Sequence, residues 1–134
     1  MTKDYYGTKR ITAWPMFGAD GTEPGYNVEY AYGYVSWSPK AVFEAAYQPI
    51  DAMSFGHALV AMKAGHKVAR AGWNGKGLWL ELQTPGDTSK MTLPYVFLNY
   101  PDDSQYTPGA RVPWTPSQTD MLADDWQIVG EAAP

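Results

Sequence analysis

Residues 53–82, MSFGHALVAMKAGHKVARAGWNGKGLWLEL, constrain the fold more than any other stretch, because the hydrophobic period changes within them from that of a helix to that of a strand. Phe55, Ala58, Leu59 and Met62 fall at i, i+3, i+4 and i+7, the spacing of one helical face. Ser54 is placed to cap that helix and Gly65 to end it in a left-handed conformation. Beyond Gly65 the period is two, with Val68 and Arg70 on one side of a short strand and Ala69 and Ala71 on the other. A second strand follows in which Leu78, Leu80 and Leu82 face one way and Trp79, Glu81 and Gln83 the other, so nothing obliges the Trp79 ring to be buried within the chain. The linker Gly72-Trp73-Asn74-Gly75-Lys76-Gly77 contains an Asn-Gly pair, which favours a tight hairpin turn. An amphipathic helix packed on a hairpin, with an indole presented at the turn, is the predicted centre of the fold.

The residues before this stretch differ in character. Tyr5, Tyr6, Trp14, Phe17, Tyr26, Tyr30, Tyr32, Tyr34 and Trp37 crowd a segment punctuated by Gly and Pro, with 11–14 and 26–30 as strand candidates. Ser38 and Pro39 read as cap and first residue of a helix that runs through 41–47 and stops at Pro49. A boundary near 48–52 separates an aromatic-rich amino-terminal extension, 1–50, from a second domain, 51–134. In that domain a strand is predicted over 93–100, with Pro94 placing its start at a sheet edge, and an extended run over 111–114. Thr115 or Ser117 caps a short helix ending at Leu122, and Ser117 and Asp120 have the spacing of an acidic capping box. A last strand covers 126–129, and the tail 130–134 has nothing to tie it down. The fold class is α+β: a small antiparallel sheet with one main amphipathic helix and a short C-terminal helix, plus an α+β extension.

Several functions are disfavoured by what the chain lacks. With no cysteine among 134 residues, neither a disulfide framework nor a thiolate metal site can form. No run of about 18 apolar residues and no signal-like start is present, which predicts a cytoplasmic protein that does not enter a membrane. The formal net charge is −4 and no basic cluster exceeds Lys9-Arg10, so a nucleic acid polymer is a poor partner. His57 and His66 have no carboxylate at ligand spacing, and no metal site is expected. Asp102-Asp103 and Asp124-Asp125 lie in a loop and at a helix end, where neither pair needs to be desolvated. There is no G-x-S-x-G, no cysteine nucleophile and no P-loop. The expectation is a protein without catalytic residues or cofactors, not an enzyme.

A binding site is better supported. Six Trp and ten Tyr leave flat surfaces to spare for stacking or for an oligomer interface. Trp73 near Arg70 and Asn74 combines a flat ring, a cation and an amide. Trp114 is followed by Ser117 and Asp120, a hydroxyl and a carboxylate. A purine stacked on an indole gains about 1–3 kcal/mol per contact, polar groups would set selectivity, and Arg70 would offset a phosphate charge. Packing filler remains the alternative for each tryptophan.

The pattern F-x-x-A-L-x-x-x-K-x-G-x-K-V-A-R-x-G-W-N-G-K-G from Phe55 to Gly77, then Pro94-Tyr95, then P-W-x-P-S-Q-x-D-M-L-A-D-D-W from Pro113 to Trp126, resembles the phage Thoeris anti-defence 2 family. GTKRITAWPM and GYVSWSPKAVFEAAY, in the first fifty residues, resemble a segment of phage proteins of unknown role. The family resemblance implies a homotetramer that sequesters a cyclic ADP-ribose isomer made by bacterial TIR-domain defence proteins without cleaving it. Some members also hold cyclic dinucleotides in separate pockets, for which no motif is matched here. It further implies a pocket between protomers that uses Trp73 and Trp114. Arg70, Asn74, Ser117 and Asp120 extend that site on their chemistry alone. A hydrolase of such a signal, and a phage structural or partner-binding module led by the first fifty residues, are the alternatives.

Overall fold

The protein, as a computed structural model, is described over residues 1–105 and 107–130; the reading of the tail past Gly130 lies outside the described residues. The chain divides into two compact units, Met1–Gln48 and Pro49–Pro134, each holding its own antiparallel sheet. The α+β class expected from the sequence is the one observed, with three helices among the described residues.

In the first unit, β1 (Thr12–Pro15), β2 (Gly25–Glu29) and β3 (Val35–Pro39) form a meander in that order, followed by α1 (Lys40–Ala46). The sequence signals β1 and β2 but not β3, because the Ser-Pro pair reads as a helix start. Ser38 instead pairs with Tyr26 in the ladder, Pro39 takes the N-cap position, and no side chain caps the helix. Gly25 is required where it stands: an added Cβ would lie 2.4 Å from the Ser38 carbonyl oxygen and 2.5 Å from the Trp37 ring. Trp37 Nε1 donates to the Met16 carbonyl at 2.8 Å. Tyr26, Phe43 and Tyr47 stack in a row, with successive centroids 4.1 and 5.1 Å apart.

The second unit is built on the helix-to-strand change of period. Its helix, α2 (Phe55–Lys63), is capped by Ser54 Oγ, which accepts from His57 N at 3.3 Å, and Gly65 beyond its end has φ +96°. Strands β4 (Lys67–Arg70), β5 (Trp79–Gln83), β6 (Tyr95–Asn99), β7 (Arg111–Pro113) and β8 (Trp126–Val129) form one sheet in the order β7-β6-β5-β4-β8. The short helix α3 (Gln118–Leu122) precedes β8. Val68, Leu80 and Ile128, from three adjacent strands, pack with Ala58, Ala61 and Met62 of α2 and with Met53 and Trp126 to make the core.

Three local expectations change. Asn74-Gly75 does not form the mirror-image hairpin turn, because that turn needs positive φ at both positions, whereas in this loop only Gly77 has it, at +77°. The connection is instead a wider loop from Ala71 to Leu78, anchored by its own polar contacts. Pro94 does not mark a sheet edge either: β6 lies between β5 and β7, and Pro94 stands just ahead of the ladder, where its missing N–H is not needed. Trp79 is half-buried and partnered within the chain, with Nε1 donating to Glu81 Oε2 at 2.9 Å and Lys67 Nζ 5.1 Å from its ring centre. Among the described residues no helix is long and apolar enough to cross a membrane.

Candidate functional site

Strand β4 ends at Arg70 and β8 begins at Trp126, and the ladder places these two residues opposite each other. That pairing brings the glycine-rich loop after β4 beside the α3 to β8 connection, although about fifty residues of chain separate them. Arg70 then meets two carboxylates. Its Nε donates to Asp125 Oδ1 at 2.8 Å and its Nη1 to Asp120 Oδ1 at 2.9 Å. The Arg70 and Asp120 side chains are each 14% exposed and that of Asp125 34%, so these are largely shielded pairs and the geometry is that of a guanidinium fork.

Asp120 is the most heavily used group in the site. Its Oδ1 also accepts from Trp73 Nε1 at 3.1 Å, and its Oδ2 accepts from Ser117 N at 3.1 Å. Ser117 Oγ in turn accepts from Asp120 N at 3.0 Å, which completes the capping box the sequence signalled. Trp126 Nε1 donates to the Asp120 carbonyl at 2.9 Å. Partial burial pushes the Asp120 carboxyl up, but the Ser117 backbone N–H, the Trp73 indole N–H and the Arg70 guanidinium outweigh it and hold the pKa at about 2. Asp125 is also held below the usual carboxylate range, first by Arg70 and then, against burial, by Gly72 N, which donates to its Oδ2 at 2.7 Å. Arg70 is pushed above its ordinary value by the Asp125 and Asp120 hydrogen bonds.

Around this network lies a cluster of aromatic rings. Trp126 is fully buried and meets Trp73 edge-on at 5.4 Å, Trp114 edge-on at 6.0 Å and Phe55 at 5.2 Å. Trp73 and Trp114 are themselves 6.4 Å apart and tilted by 59°. A base sandwiched between two rings needs roughly 7 Å between parallel planes at ordinary carbon contact distance, so these two indoles of one chain touch each other and leave no slot between them. Both are half-buried and keep part of their surface in solvent.

Trp73 also forms a wall of an open pocket of about 250 Å³, shared with Ala69, Arg70, Lys76, Leu78 and Gln127. Of the six residues selected from the sequence, the structure brings Trp73, Trp114, Arg70, Ser117 and Asp120 into one connected cluster. Asn74 is exposed in the loop and joins no contact of that cluster among the described residues. Arg70, Ser117 and Asp120 spend their hydrogen bonds on one another and on Trp73, Asp125 and Trp126, so they position the ring. Sequence reasoning missed Asp125 and Trp126, which close the network. Their signal was adjacency within the D-D-W run, where Trp126 opens a strand whose opposite partner is Arg70. Among the described residues no group of three or more His, Asp and Glu is placed to hold a metal ion.

The family model of the Thoeris anti-defense 2-like domain matches residues 53–129, a range that holds every member of the Arg70 network. A protein of Bacillus phage SP01 described as Thoeris anti-defense 2 is 39% identical over 85 residues, covering 58% of this chain and 94% of that protein.

Proposed function

The chain belongs to the Thoeris anti-defense 2-like family, and from that premise we propose that it is a phage anti-defence protein that captures a cyclic ADP-ribose isomer and holds it uncleaved in the infected cell's cytoplasm. The observation that carries this reading is the fixed presentation of Trp73. Its Nε1 is tied to Asp120, its ring meets that of Trp126 nearly at a right angle, and it lines an open pocket. A ring held in this way stacks on a base with little further loss of side-chain freedom, which is the way rigid sites gain affinity. A stoichiometric inhibitor must outcompete the host sensor, and nanomolar affinity corresponds to about −12 kcal/mol. One stacking contact supplies about 1–3 kcal/mol of that, so further walls are needed. In this reading Trp114 faces the ligand from a second copy of the chain in a homotetramer, which resolves the absence of a slot between the two rings of one protomer.

The charged groups of the site suit holding better than turnover. Asp120 and Asp125 are kept ionised and engaged by Arg70, so neither is poised near neutral pH as a general acid or base. Isothermal titration with cyclic ADP-ribose isomers and cyclic dinucleotides, followed by heat release and mass analysis, tests the proposal. The expected result is tight binding of a cyclic ADP-ribose isomer, recovery of an intact ligand, and loss of at least about tenfold in affinity in Trp73→Ala, which removes one stacking contact. Recovery of a linear or hydrolysed nucleotide overturns sequestration, and undiminished affinity in Trp73→Ala overturns the site.

A further inference from the structure

We infer that Lys76, and not Arg70, supplies the positive charge that meets a phosphate of the ligand, in the pocket walled by Trp73. The inference deepens the reading of this site as a nucleotide pocket and rests on it. The sequence favours Arg70 for that role, since it stands close to the Trp73 indole and Arg is the usual phosphate fork. The structure gives its charge other work, although Arg70 also lines the pocket. Two of the Arg70 nitrogens are committed to Asp125 and Asp120 at 2.8 and 2.9 Å. One guanidinium between two carboxylates also leaves a net negative charge beside the pocket, which disfavours an anion arriving there unless another cation is present.

Lys76 is that cation. It lines the pocket together with Trp73 and Gln127, it is exposed, and among the described residues it has no ion pair or hydrogen bond of its own. Its position in the loop is set from both sides. Gly72 N is tied to Asp125 at 2.7 Å, and Gly77, at φ +77°, lies against the Pro101 ring, which an added Cβ would meet at 3.2 Å. Ala69 and Ala71 also line the pocket, and their small side chains take up little of its space. The site therefore offers a flat wall, an amide from Gln127 and one uncommitted ammonium group. That set matches a purine ring on the indole with its attached phosphate at the rim. The volume, about 250 Å³, lies below the roughly 300–1,000 Å³ of a complete small-molecule pocket, so the pocket takes part of a nucleotide.

The test compares wild type, Lys76→Gln and Lys76→Arg by isothermal titration with cyclic ADP-ribose isomers and with adenosine as a neutral probe, at low and moderate salt. Lys76→Gln is expected to weaken binding of the phosphate-bearing probes about tenfold or more, the size of a charge-assisted contact, and to reduce the salt dependence of binding. Lys76→Arg is expected to restore most of the affinity, and adenosine binding is expected to be unchanged by either substitution. Unchanged affinity of Lys76→Gln for the phosphate-bearing probes, while Trp73→Ala still loses them, overturns the Lys76 assignment and leaves the sequestration reading standing. Failure of the wild type to bind any phosphate-bearing probe overturns both.

Discussion

Asp120→Asn tests the supporting network most directly, because it removes one charge and keeps the side chain's size. The native carboxylate accepts hydrogen bonds from Arg70, Trp73 and Ser117, and at 14% exposure water screens them little. Its folded pKa of about 2 lies below the ordinary 3.8, and a difference near 1.8 units at about 1.36 kcal/mol per unit is worth roughly 2 kcal/mol. Because the folded value is the lower one, this stabilisation is fully present above the unfolded pKa and is lost as pH falls through the folded one. Urea unfolding followed by tryptophan fluorescence at pH 7 and pH 3 reads the effect, and Asp125, which titrates in both proteins, largely cancels from the difference. The variant should lose roughly 2 kcal/mol at pH 7 and about half of that at pH 3, where the unfolded carboxyl is already mostly protonated. A loss under about 0.5 kcal/mol at pH 7, the range of an ordinary surface substitution, would refute the reasoning. So would a loss of the same size at both pH values.

Two further substitutions probe the sequence-to-structure argument. Arg70→Lys replaces a planar fork with a single ammonium group that cannot serve Asp120 and Asp125 through separate nitrogens. The expected cost is about 1–3 kcal/mol, that of a shielded carboxylate left under-satisfied, and it should appear as a lowered thermal midpoint together with a red shift of tryptophan emission. Gly25→Ala drives a Cβ to within 2.4 Å of the Ser38 carbonyl oxygen, where backbone must move. A loss of about 1–3 kcal/mol is expected from the overpacking, and hydrogen exchange should show amides of β2 and β3 losing protection.

The second unit was legible because its signals are local and agree with each other. The helical face from Phe55 to Met62, the Ser54 cap and the left-handed Gly65 all lie within a dozen residues, and the structure keeps each one. The Ser117 to Asp120 capping box is local in the same way. What the sequence could not convey is the partnership of Arg70 with Asp120 and Asp125, fifty and fifty-five positions away. Nothing in the spacing of an arginine and an acid that far apart says that they meet. Only the pairing of β4 with β8 does, and that pairing is a tertiary fact. The β3 strand was missed for a different reason: Ser38-Pro39 satisfies a helix-start rule and a strand end at once, and tertiary pairing with β2 decided the matter.

The same carboxylate that closes the first turn of α3 also holds Trp73, and this joins folding to binding. Asp120 Oδ2 accepts from Ser117 N to form the capping box, while Oδ1 receives both Arg70 and the indole. A five-residue helix is too short to persist on its own propensity, so α3 depends on its capping box and on the hydrogen bond from Trp126 Nε1 to the Asp120 carbonyl. The orientation of Trp73 depends on the same carboxylate. Fraying of α3 therefore releases the ring, and a ligand that stacks on the ring and favours its held position must stabilise α3 by linkage. Native-state hydrogen exchange should accordingly show greater protection of Met121 N, which donates to the Ser117 carbonyl, when ligand is present. In Asp120→Asn the ring and the helix no longer share an ionised anchor, so the protection conferred by ligand at Met121 should fall even where residual binding survives.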